Sequence, residues 1–210
     1  MIVAIDGPAA AGKGTLAKRL AEHFDLAFLD TGRLYRAVGH LVLDRGGDPG
    51  NPADAVGAAR ALDPENLDSV DLYTETVAEA ASKLAAIPDV RKVLLAFQQA
   101  FARTPPGGKP GAVLDGRDIG SVVCPDADVK LFVTARAEIR AERRHKELQE
   151  KGLKSTYAAV LAEIEARDER DRTRKVSPLK AGDAREIDTS EKSPDAVFEE
   201  ARAYIEDLSS

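Results

Sequence analysis

Only one cysteine, Cys124, stands in the 210 residues. No intrachain disulfide can form, and the chain suits a reducing compartment. Cys124 lies between Val123 and Pro125 with no activating base in view and reads as structural. No apolar run approaches the roughly 20 residues of a membrane-spanning helix. No basic leader precedes the first motif, so no signal peptide is expected. The three histidines, His23, His40 and His145, fall in helical patterns without metal-ligand spacing and read as surface or packed groups. There is no excess of positive charge: 30 Lys and Arg stand against 36 Asp and Glu, a net charge of −6. That argues against a nucleic-acid polymer as partner, which needs a basic surface. No internal repeat or low-complexity tract occurs. The expectation is a monomer in the cytoplasm with small-molecule partners and no membrane.

What is present begins at Gly7-Pro8-Ala9-Ala10-Ala11-Gly12-Lys13-Gly14-Thr15. An apolar run, Ile2–Ile5, leads into it, and Leu16, Leu20 and Phe24 follow at helical spacing. Strand, glycine-bounded loop, lysine, hydroxyl residue and helix make the layout of a phosphate-binding loop. Glycines let backbone N–H groups turn inward around an anion. The helix N-terminus adds unpaired donors and partial positive charge. Lys13 would bring a full charge to the outer phosphates of ATP, and Thr15 a hydroxyl to Mg2+. Gly14 separates Lys13 from Thr15, an ending closer to small-molecule and nucleoside-monophosphate kinases than to GTPases or motor ATPases. An Asn-Lys-x-Asp guanine motif is missing as well.

Short apolar runs alternate with longer helical patterns, which predicts an α/β fold with a five-stranded, mainly parallel sheet flanked by helices. The strands are expected at Ile2–Ile5, Ala27–Leu29, Ala112–Leu114, Lys130–Val133 and Arg185–Ile187. The helices are expected near Lys13–His23, Gly32–Arg45, Ala53–Leu62, Leu72–Ile87, Val90–Arg103, Ala137–Lys151, Tyr157–Arg172 and Pro194–Leu208. Two excursions leave this alternation. Residues 41–102 read as helices only, with turns at Asp48-Pro49-Gly50-Asn51-Pro52 and Asp63-Pro64. Residues 149–178 are dense in arginine. In a single kinase domain of 1–210, these would be an inserted acceptor-binding subdomain and a lid.

Each further motif follows a strand or lies in an excursion. After the second strand, Thr31 caps a helix bearing Tyr35 and Arg36, and Arg36 can grip an anion bidentately. An ordinary capped helix with solvated arginines has the same local pattern; the place beside the phosphate loop favours function. Ser82 and Arg91 read as a packed serine and a solvated arginine unless they face the cleft. The third strand ends in Asp115-Gly116-Arg117-Asp118. Asp115 there can hold Mg2+ directly or through water. Arg167, Arg170, Arg172 and Arg174 fall within eight residues. A salt-bridged helix face would account for them. With a phosphate loop in the same chain, a closing lid fits better, because such an arginine can be worth roughly 10³–10⁵ in rate. Lys13, Arg117, Arg170 and Arg174 are the expected catalytic groups, and the pattern leaves open which lid arginine meets the transferred phosphoryl.

Taken in order, the phosphate loop, Asp30-Thr31-Gly32 with Tyr35-Arg36, Ala81-Ser82 with Pro88 and Arg91, Asp115 to Gly120, and Arg167 to Arg174 resemble bacterial cytidylate kinases along nearly the whole chain. The resemblance implies phosphorylation of CMP and dCMP by ATP with Mg2+. It implies that Gly7 to Thr15 hold the ATP phosphates, and that Arg36, Arg117 and Arg174 hold the CMP phosphate. Ser82, Arg91 and Asp118 would read cytosine, and Arg167 and Asp171 would sit near the pentose hydroxyls. Thr31 and Tyr35 would wall the acceptor pocket. Many members of that family carry a longer insert with a small β-sheet between the segments matching Arg36 and Ser82; here the stretch is shorter and reads as helical. Another P-loop kinase with a different acceptor is the alternative reading, and a nucleotide-binding module without transfer activity is a further one.

Overall fold

A computed structural model describes residues 1–63, 70–150 and 152–208. The expected turn at Pro64 and the helix end at Lys151 lie outside the described residues. Strands β1 (Ile2–Asp6) and β3 (Ala112–Gly116) are almost wholly buried, as near-continuous apolar runs in a parallel sheet should be. With β2 (Ala27–Asp30), β4 (Val129–Thr134) and β5 (Arg185–Asp188) they form one sheet, ordered β2-β3-β1-β4-β5. Every pairing is parallel. The sheet expected to be mainly parallel is therefore parallel throughout its described strands.

Helices cover both faces. Leu16 and Leu20 of α1 (Lys13–His23) and Phe198 and Ile205 of α8 (Pro194–Leu208) pack on Val3, Ile5, Leu131 and Ile187. On the other face, Ala4 and Leu114 meet Leu95, Phe101 and Ala102 of α5 (Pro88–Arg103). A separate core of Leu34, Val38, Leu84, Val90 and Leu94 joins α2 (Thr31–Asp44), α3 (Pro52–Ala61), α4 (Glu75–Leu84) and α5. A small cluster, with Ala141, Leu148, Val160 and Ile164, ties α6 (Ala137–Glu150) to α7 (Tyr157–Thr173).

Caps set the boundaries. Asn51 accepts from the Ala53 N–H at 2.8 Å, and Pro52 opens α3. Thr74 caps α4, so this helix starts at Glu75 and not at Leu72, which falls in a 3-10 turn. Pro88 opens α5 two residues ahead of the expected start. No strand occurs among the described residues of 41–102. Among the described residues no helix is long and apolar enough to cross a membrane.

Register brings the functional ends together. Ile5 lies opposite Asp115, Asp6 opposite Gly116, and Asp30 opposite Asp115. Asp6 and Asp30 thus end their strands, and Asp115 stands one residue before the end of β3, at the carboxyl edge where parallel α/β sheets bind ligands.

Candidate active site

The phosphate loop is shaped by backbone that few side chains permit. Gly7 has φ +147, and a Cβ there would stand 1.9 Å from the Val133 carbonyl oxygen. Gly12, at φ +93, is the N-cap of α1 and brings no side chain to cap it. The first N–H groups of α1 are thereby left to a ligand, as an anion site requires. Gly7→Ala is expected to lose roughly 2–5 kcal/mol of stability through clash and strained backbone. Thermal unfolding of the variant checks this, and an unchanged midpoint contradicts the loop geometry.

Lys13 is buried in the loop it follows. Its Nζ donates to the Pro8 carbonyl at 2.9 Å and lies 3.7 Å from Asp115 Oδ1. Burial, then the neighbouring Arg117, brings its ammonium down to about 8, against the pull of Asp115. Burial likewise raises the Asp115 carboxyl, opposed first by Lys13. Both shifts describe charge held out of water, which a polyphosphate would relieve. The Thr15 side chain stands on the first turn of α1. Gly14 leaves room beside Asp115: a Cβ there would be 3.4 Å from Asp115 Oδ2. A hydroxyl, one carboxylate and open space suit Mg2+, which keeps waters and takes phosphate oxygens.

Opposite the loop, Asp30 and not Thr31 caps α2, accepting from the Arg33 N–H at 3.2 Å and from Arg36 at 2.9 Å; Thr31 is the first residue of the helix. Thr31 is buried and donates to the Asp115 carbonyl at 2.7 Å. Arg91 is 9% and Asp118 5% exposed, and the two are paired through Arg91 Nη2 and Asp118 Oδ2. The other arm of Arg91 donates to the Ala85 carbonyl at 3.1 Å, and the guanidinium sits 5.5 Å from the Tyr35 ring centre. Burial raises the Tyr35 phenol above its ordinary range.

The arginine-rich helix α7 closes over this wall. Asp171, 5% exposed, accepts from Arg117 at 3.1 Å and lies 3.7 Å from Arg174. Burial works against its ionisation, but Arg117, Arg167 and Arg174 outweigh it and hold the carboxyl low. Burial among other guanidinium groups brings Arg167 down to about 10. Arg36 Nε, Arg167 Nε and Arg174 Nη2 are buried without hydrogen-bond partners among the described residues. Buried donors of this kind are costly unless a ligand completes them, and all three arginines line one cavity with the phosphate loop.

That cavity, of about 380 Å³, brings together Ala9 to Thr15, Thr31, Tyr35, Arg36, Ser82, Arg91, Asp115, Arg117, Asp118, Arg167, Asp171 and Arg174. Gly7 and Pro8, the first residues of the loop, do not line the cavity. Arg170 is outside the wall, and its Nε donates to Ser82 Oγ at 3.2 Å. Sequence reasoning missed two residues here. Arg140 of α6, 4% exposed, donates to the carbonyls of Ala135 (2.8 Å) and Ala9 (3.2 Å) and grips Asp168 at 3.1 and 2.5 Å. It ties the phosphate loop to α7, yet in sequence it is one more charge on a charged helix. Asp6 accepts from the Ile119 and Gly120 N–H groups, both at 2.8 Å. Burial raises its carboxyl to about 6, against those two bonds. An acid ending a buried strand was its only signal.

A family model described as cytidylate kinase matches residues 3–207. The chain is 59% identical over 205 residues to a cytidylate kinase of Paramagnetospirillum magneticum, covering 97% of both. It is 56% identical over 206 residues to a cytidylate kinase of Granulibacter bethesdensis, covering 98% of this chain and 96% of the other. A solved structure of an uncharacterized protein from Eubacterium ventriosum aligns with TM-score 0.58 at 13% identity over 98% of each chain, a likeness of fold alone. The phosphate loop, the arginine-lined cavity and the match along almost the full length agree: the chain belongs to the cytidylate kinase family.

Proposed function

We propose that the chain transfers the γ-phosphoryl group of ATP to CMP or dCMP, giving ADP and CDP or dCDP. The observation that carries this reading is the buried Arg91–Asp118 pair in the same cavity as the phosphate loop. Cytosine offers an amino donor, which a carboxylate accepts, and a carbonyl, to which a guanidinium donates. Asp118 and Arg91 supply those two groups, with Ser82 beside them. Uracil puts a carbonyl where the amino group stood, facing a buried acceptor. That mismatch costs a few kcal/mol, or roughly 10²-fold.

In this reading Arg36, Arg117 and Arg174 hold the CMP phosphate, and the orphaned donors of Arg36 and Arg174 support it. Arg167 and Asp171 face the pentose hydroxyls, while Thr31 and Tyr35 form the pocket wall. Residues 41–102 act as the acceptor subdomain and 149–178 as the lid. Ala9 to Thr15 cradle the ATP phosphates, with Gly7 setting the turn and Pro8 holding Lys13 by its carbonyl. Thr15 and Asp115 would hold Mg2+, which when bound neutralises charge on the phosphate oxygens. An oxygen of the CMP phosphate attacks the γ-phosphorus as the bond to the β-phosphate oxygen breaks and ADP leaves. No protein group bonds covalently to the phosphoryl; Lys13, Arg117 and Arg174 position it and offset its charge, while Arg170, outside the cavity wall, reaches Ser82 instead. The lid excludes water, and so limits loss of ATP to hydrolysis. In this reading the working unit is a monomer. The buried, unpaired Cys124 fits a reducing cytoplasm.

A rapid-quench experiment with γ-labelled ATP and CMP tests the chemistry. Label is expected in CDP at all times and never on the protein. Label trapped on the chain overturns direct transfer.

A further inference from the structure

We propose that Asp6 is a positioning residue for base discrimination, acting through the turn that carries Asp118. The inference rests on Asp118 as the cytosine reader. Asp6 is the last residue of β1, in register with Gly116 of β3 and Phe132 of β4. Its two oxygens take separate backbone donors: Oδ1 the Ile119 N–H and Oδ2 the Gly120 N–H, each at 2.8 Å. These are the two residues that follow Asp118, at the start of the π-helical turn Ile119–Val123. Asp118 itself has an irregular backbone, φ −150 and ψ 27, with no side-chain cap of its own. Arg91 holds its carboxylate from one side, and the direction from which that carboxylate reaches Arg91 and the base depends on what holds the turn behind it.

A buried carboxylate is a costly way to anchor two amides. Asp6 is 6% exposed, and the negative charge of Asp118 opposes its own. A neutral side chain would escape that cost but would not bind both amides with charge-assisted bonds, which are shorter and stronger than neutral ones. The residue after Asp6 is Gly7, the first of the phosphate loop. One rigid strand end thus sets the donor loop on one side and the base-reading turn on the other. Stiffness at Asp118 matters because rejection of uracil works only if the carboxylate cannot swing away from the opposing carbonyl.

Asp6→Asn keeps the shape but turns an amide N–H2 toward one backbone N–H. The kcat/KM for CMP is expected to fall about tenfold, the loss of one charged hydrogen bond. UMP should lose much less, so the CMP-over-UMP ratio falls, while the KM for ATP stays within about twofold. In an Asp118→Asn background the Asp6 change should leave the ratio untouched, because coupled residues are not additive. Gly120→Ala is a second route that leaves Asp6 in place: its Cβ would stand 3.2 and 3.3 Å from the Lys130 side chain, so Lys130 or the turn must give, with Asp6 Oδ2 in ordinary contact at 3.5 Å. It should lower the ratio more mildly, and it serves if the Asn variant does not fold. A ratio unchanged in both variants, or equal losses on CMP, UMP and ATP, overturns the inference. If Asp118→Asn itself leaves the ratio unchanged, the cytosine-reading assignment falls and this inference with it. If Asp118→Asn lowers the ratio and Asp6→Asn does not, only the role of Asp6 falls.

Discussion

Lys13→Ala is expected to cut kcat by roughly 10²–10³-fold, the loss typical of removing one preorganised charge from a transition state. The fold should survive. The Lys13 ammonium is buried against its preference, as its lowered pKa of about 8 records, and removing it relieves that cost. Asp115 keeps Arg117 and Arg36 nearby to offset its charge. Near-normal turnover would contradict the phosphate-loop assignment. The same lysine sets a pH limit. The charged form is the one that binds phosphate, so it is fully available below about pH 8 and is lost as pH rises through that value. The kcat/KM for ATP, which reports the free enzyme, should therefore fall on the alkaline side. Lys13→Arg, whose charge is not lost in this range, should abolish that fall even at lower activity. An alkaline limb unchanged in the arginine variant would assign the titration to another group.

Arg91→Ala should do damage twice. It leaves Asp118 as a buried carboxylate without its bonded partner. Breaking a buried pair from one side typically costs about 3–5 kcal/mol. For a chain of this length that lowers the thermal midpoint by roughly 6–20 °C. The variant also loses the donor to the cytosine carbonyl, so kcat/KM for CMP should fall about 10²-fold or more below the wild-type value when measured on the folded fraction. Asp118→Asn separates the two effects. It removes the charge but keeps a hydrogen-bonding side chain, so stability should suffer less while CMP loses its advantage over UMP. A large loss of stability with CMP preference intact would make the pair a structural bridge between α5 and the end of β3.

The strands and helices were legible because this fold writes them in local pattern. Buried parallel strands are short apolar runs, and each candidate motif sits just past one. Boundaries shifted where a side chain competed with the pattern: Thr74 shortens α4 and Pro88 lengthens α5. The cavity-lining residues were legible in part because arginines after a phosphate loop have few other uses. Ser82 and Arg91 were ambiguous until α4 and α5 turned them inward. Arg140 and Asp6 were not legible, since the two amides that Asp6 holds and the Ala9 carbonyl that Arg140 reaches are backbone groups over 100 residues away. A charged residue that serves distant carbonyls or amides looks in sequence like any solvated one. The bond from Arg170 of α7 to Ser82, and the ion pair between Arg144 of α6 and Glu75 of α4, join α6 and α7 to α4. Only tertiary contacts reveal that link.

The central claim is that phosphate transfer and cytosine reading share one cavity. Initial rates of ADP formation test it, with ATP and Mg2+ present and CMP, dCMP, UMP, AMP and shikimate offered one at a time. Strong turnover on CMP and dCMP, with UMP poorer by roughly 10²-fold, is the result expected from Arg91 and Asp118. ADP release that needs no acceptor, or a best acceptor outside the pyrimidine monophosphates, would contradict it.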